Sequence, residues 1–63
     1  MAVSYKHYIK VGRYYVRFEG PGQTPVYVGT ADKAESFTTE SLAKAKARYK
    51  NIKDFKIEKV RVN

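Results

Sequence analysis

From Tyr8 to Glu19 the chain is rich in β-branched and aromatic residues alternating with polar ones, which predicts strand. The alternation changes phase once. Ile9 and Val11 share one parity, Tyr14, Val16 and Phe18 the other, and Gly12 sits at the switch. A glycine at a parity change predicts a bulge or a tight turn. Beyond it, Tyr14, Val16 and Phe18 point to one side, and Arg13, Tyr15, Arg17 and Glu19 to the other. The run from Gly20 to Pro25 has the composition of a turn or loop. Val26-Tyr27-Val28 then reads as a short second strand pairing with the first. Val26 and Val28 are expected to face the core, and Tyr27 the opposite side. A polar connection from Gly29 to Glu35 leads to two expected buried anchors, Ala34 and Phe37.

The helix signal follows. Thr38 has the chemistry of an N-cap, and Glu40 falls in the first turn, where the helix dipole favours an acid. With Thr38 as cap, Phe37 and Leu42 take the spacing of a hydrophobic staple. Good helix formers follow, and Leu42, Ala45, Tyr49 and Ile52 form one apolar stripe at helical spacing. Lys46 and Lys50 flank one side of that stripe, Lys44 and Arg48 the other. Asp54 starts a third strand. Phe55 and Ile57 alternate, Val60 and Val62 continue on the opposite parity, and a bulge near Glu58 or Lys59 would reconcile them. The order is ββαβ: an α+β domain, a three-stranded sheet packed on one helix, with residues 1–63 as a single unit. The helix stripe is expected to lie on Tyr14, Val16, Phe18, Val26 and Val28.

At 63 residues there is material for one small core. Cysteine is absent, so neither disulfides nor thiolate metal sites contribute. No apolar run is long enough to span a bilayer, and nothing near Met1 resembles a secretion signal, so the expected setting is cytoplasmic, without a membrane partner. The net charge is +7 and unevenly placed. Lys6, Lys10, Arg13 and Arg17 carry the first part of the chain without an acid. The middle, with Glu19, Asp32, Glu35 and Glu40, is mildly acidic, and the last twenty or so residues are again strongly basic. If the two ends meet in space they make one basic surface, the footprint of a polyanion partner; the plainer reading is a soluble, lysine-rich surface.

Catalytic chemistry has little to draw on. His7 is the only histidine, no cysteine can pair with it, and no nucleophile motif surrounds it. Asp54 and Glu58 read as isolated surface carboxylates, and no metal-ligand spacing or phosphate loop is present. No cofactor is expected. The segment from Gly12 to Phe18 partly matches the RNA-recognition signature, but Arg13 and Tyr14 break it, and that fold's second helix is missing. What survives is a basic-aromatic sheet face of Arg13, Tyr15, Arg17 and Tyr27. Arginine forks pair with phosphate or guanine, and tyrosine rings stack on unpaired bases. Alternatively Tyr15 and Tyr27 form a cross-strand pair beside solvated arginines. The helix residues Lys44, Lys46, Arg48 and Lys50 are further candidate contacts, or simply a solvated face.

Two resemblances attach to these segments. Tyr14-Tyr15-Val16-Arg17-Phe18-Glu19 followed by Phe37-Thr38-Thr39-Glu40-Ser41-Leu42-Ala43 resembles the arm-binding domain of tyrosine recombinases and the plant AP2-type domain, three strands and a helix whose sheet docks into the major groove. That resemblance implies Arg13, Tyr15 and Arg17 as DNA contacts. Against it, Lys33 is the only basic residue between 20 and 36, where the family's middle strand is basic. Ala34-x-x-Phe37-Thr38-Thr39, the helix and Phe55-Lys56-Ile57-Glu58-Lys59-Val60 resemble small ββαβ proteins of phages and prophages of Gram-positive bacteria. Some small phage proteins inhibit host defence nucleases, CRISPR nucleases among them. The expected function is therefore a non-enzymatic module binding DNA or RNA through the basic-aromatic face. The alternative is a phage-encoded inhibitor acting on a host protein or nucleoprotein.

Overall fold

The computed structural model describes residues 3–62. Within them the sheet has four strands rather than three: β1 (Tyr5–Val11), β2 (Tyr14–Glu19), β3 (Thr24–Val28) and β4 (Phe55–Arg61). All neighbours are antiparallel, in the order β3-β2-β1-β4. One helix, α1 (Glu40–Tyr49), and a short 3-10 turn at Ala31–Lys33 lie between β3 and β4.

The extra strand arises at Gly12. Val11 pairs with Tyr14, leaving Gly12 and Arg13 as a two-residue hairpin loop, and Gly12 takes φ +61°. A glycine with positive φ at the first loop position is the mark of a II′ turn, whose twist suits two adjacent strands. What reads as one long strand with a phase change is thus a hairpin, with the phase reset by the turn.

β1 and β2 share only the pairs Lys10–Tyr15 and Val11–Tyr14 before they part. The chain entering the helix fills the fork. The Glu35 N–H donates to the Val16 carbonyl at 3.3 Å, and Phe37 exchanges both backbone hydrogen bonds with His7 at 2.8 Å. His7 is buried here, its Nδ1 lying 3.3 Å from the Phe37 carbonyl oxygen. The only histidine is therefore part of the fold's interior wiring. On its other side β1 runs the full length of β4, from Tyr5–Arg61 to Val11–Phe55 in unbroken register. There is no bulge near Glu58 or Lys59; continuous pairing puts Val60 on the face away from Ile57.

The core is Ile9, Val16, Phe18, Ala43, Ala47 and Ile52, with Val11, Phe37, Phe55 and Ile57 packed against it. Burying Ile9 and Val16 completely is worth about 1.5–3 kcal/mol each. The helix meets the sheet through Ala43 and Ala47, while Leu42, Ala45 and Tyr49 face solvent. This reverses the expected stripe. Alanines let the helix backbone approach closely, and α1 lies mainly over β1 and β4 rather than over β2 and β3. The N-cap is Thr39, not Thr38: its hydroxyl accepts from the Leu42 N–H at 3.2 Å, so Phe37 and Leu42 do not form a staple. At the other end Asn51 is left-handed at φ +57°. The Asn51 N–H donates to Arg48 and the Ile52 N–H to Ala47, a complete Schellman motif that delivers Ile52 into the core.

Candidate nucleic-acid interface

Residues directly paired across strands share a face. Tyr27 pairs with Val16, so it lies on the helix side of the sheet, half exposed at its edge. Val26 and Val28 pair with Arg17 and Tyr15, so they lie on the opposite face. The expected group of Arg13, Tyr15, Arg17 and Tyr27 therefore does not form. The register of β3 against β2 decides the matter, and it inverts the expected sides of Val26, Tyr27 and Val28. Arg13 leaves the group as well, because it is an exposed loop residue at the hairpin tip.

The face away from α1 instead gathers Lys6, Tyr8 and Lys10 from β1, Tyr15, Arg17 and Glu19 from β2, Val26 and Val28 from β3, and Lys56, Glu58 and Val60 from β4. The basic ends of the chain do come together, since β1 and β4 are partners. Lys10 stands directly across from Lys56, and Lys6 lies two residues beyond the buried Tyr8, on the same face. Like charges placed directly opposite each other in a ladder are destabilising.

One acid sits among them. The Tyr15 hydroxyl donates to Glu58 Oε2 at 2.5 Å, and the Lys10 ammonium lies 3.4 Å from Glu58 Oε1. Lys10 also hovers 5.2 Å above the Tyr15 ring, which meets Tyr8 edge-on with centroids 6.0 Å apart. The Tyr15 hydrogen bond, and then Lys10, hold the Glu58 carboxyl below the usual carboxylate range against some cost of desolvation. The same bond raises the Tyr15 phenol. Arg17 is ion-paired with Glu19 at the margin of the face.

The helix cations have separate engagements. Lys44 pairs with Glu40 at 2.9 Å. Lys46 lies 4.9 Å above the Phe18 ring and 3.5 Å from Gln23 Oε1, and Lys50 donates to the Gly22 carbonyl at 2.7 Å. Lys46 and Lys50 thus strap the helix to the loop between β2 and β3, while Arg48 is exposed. The expected helix contacts are not one free basic strip.

Of the sequence-derived candidates, Tyr15 and Arg17 share the face; Lys6, Lys10 and Lys56 are the members that sequence reasoning missed. The available signal was Gly12. Reading it as a hairpin loop places Lys10 beside Tyr15. Among the described residues there is no pocket, no group of three His, Asp or Glu side chains fit to hold a metal, and no helix long and apolar enough to cross a membrane. No protein-family model, curated protein or solved structure matches the chain.

Proposed function

We propose that this protein is a non-enzymatic nucleic-acid-binding module that contacts phosphates through Lys6, Lys10 and Lys56, with Tyr15 and Arg17 beside them. The observation that carries this reading is the Lys10–Lys56 pair, two lysines at directly opposed positions of the β1–β4 ladder on a chain of net charge +7. A ladder position that costs stability in the free protein is offset when a polyanion lies across it. The test is a titration of DNA and RNA, single- and double-stranded, at several salt concentrations. Three phosphate contacts give a log–log salt slope of about −2 to −3, and each lysine-to-alanine change removes about one unit. Absence of binding to any of them at low salt would sink the reading.

A second reading is favoured by a different surface. Leu42, Ala45 and Tyr49 line the outer side of α1, with Tyr49 78% exposed. Anchors at this spacing suit a groove on a protein partner, as a phage-encoded inhibitor of a host nuclease requires. Retention of a host protein after nuclease treatment, lost in the Leu42→Ala/Tyr49→Ala double variant, would favour this reading. Loss of every partner on nuclease treatment would favour the first.

A further inference from the structure

The Lys10 ammonium and the Tyr15 hydroxyl converge on a single anion, the Glu58 carboxylate, with Lys56 at the neighbouring position of the same ladder. Two donors, one of them charged, converging on one oxyanion from two strands also match the needs of a phosphate. Resting on the phosphate-binding reading above, we infer that Lys10 and Tyr15 form an anion seat which Glu58 occupies in the free protein. A nucleic-acid phosphate must displace Glu58 to take it. Glu58 is then an internal competitor that weakens indiscriminate binding. It also offsets the charge of Lys10 opposite Lys56 until a polyanion arrives.

The geometry separates this role from a simple count of charges. Asp54 is also an acid next to this strand, but it is exposed and makes no ion pair with a lysine. If only net charge mattered, neutralising either acid would raise affinity alike. If Glu58 fills the seat, neutralising it does more, and the excess depends on Lys10.

The experiment measures binding of a short mixed-sequence DNA duplex, and of one of its strands, to the wild type, Glu58→Gln, Asp54→Asn, Lys10→Ala and the Glu58→Gln/Lys10→Ala double variant. Glutamine keeps the shape of Glu58 and an acceptor for Tyr15 but releases Lys10. Glu58→Gln is expected to bind about three- to fivefold more tightly than Asp54→Asn, the scale of one exposed ion pair. Its salt slope is expected to steepen by about one. In the Lys10→Ala background the gain from Glu58→Gln is expected to fall to that of Asp54→Asn in the wild type. Equal affinities for Glu58→Gln and Asp54→Asn, or an excess over Asp54→Asn that persists without Lys10, overturn the competitor role while the phosphate-binding reading stands. Failure of both the wild type and Glu58→Gln to bind at low salt overturns that reading and this inference with it. Should Glu58→Gln not fold, the wild type carries the test: the Glu58 side-chain carboxyl 13C resonance is followed as duplex is added. Release from Tyr15 and Lys10 moves it, whereas an unmoved signal at saturation overturns displacement.

Discussion

Leu42 is 53% exposed, and Ala43, the next residue in the chain, is completely buried. The helix is thus seated on its alanines, close to the sheet, with its larger apolar side chains outside. Ala43→Leu or Ala47→Leu is expected to destabilise by about 1–3 kcal/mol through overpacking. Leu42→Ala is expected to change stability by less than about 0.5 kcal/mol. Denaturant melts of the three variants check this, and the opposite ranking would mean that the helix is rotated about its axis.

Thr39 caps the helix through its hydroxyl, and Thr38 does not. Thr39→Ala is expected to cost about 0.5–2 kcal/mol. Thr38→Ala, at an exposed position without a cap bond, should leave the melting midpoint nearly in place. Equal losses in the two variants would show that the cap is shared.

Gly12→Ala tests the hairpin. A Cβ at this position meets no atom within 4 Å, so only the backbone conformation opposes it. At φ +61° an alanine costs about 1–2 kcal/mol. Thermal unfolding at matched pH reads the loss; an unchanged midpoint would rule out the left-handed loop.

Acid should weaken the fold through carboxylates that the native state holds ionised. Glu58, Glu40 and Asp32 are all lowered: Glu58 mainly by Tyr15, Glu40 by Lys44 and Asp32 by Thr30. A lowered native value means that the unfolded chain takes up protons first as pH falls. The stabilisation is therefore complete above the ordinary carboxylate value of about 4.3 and is lost as pH drops below it through the native values. Melts from neutral pH to pH 2 should show this loss, with a shallower acid limb in Glu58→Gln. Identical limbs would remove Glu58 from the account.

Much of the architecture was legible because it depends on local pattern. The parity of Tyr14, Val16 and Phe18, the helix after two threonines and the final strand at Phe55 all follow from spacing. The errors fall where a choice between two faces depends on distant partners. Val26, Tyr27 and Val28 alternate as expected, but only pairing with β2 decides which side is which. The helix offered both a large apolar stripe and an alanine pair, and closeness of approach selected the pair. Lys10 and Lys56 were missed as a unit because nothing local indicates that the first strand and the last are neighbours.

That neighbourhood also sets the order in which the chain can be completed. The longest ladder joins the first strand to the last, and Ile9 on β1 is fully buried in the finished core. During synthesis β1 therefore waits for its main partner until nearly all the described chain has been made. The hairpin at Gly12 and the helix contain their own short-range contacts and are expected to form early. The β1–β4 ladder must instead close at least the long loop from Val11 to Phe55 before any of its bonds repay the entropy. For a domain of this size, folding is consequently expected to be governed by that single late closure. Shortening β4 should abolish the native state as a whole rather than fray one edge.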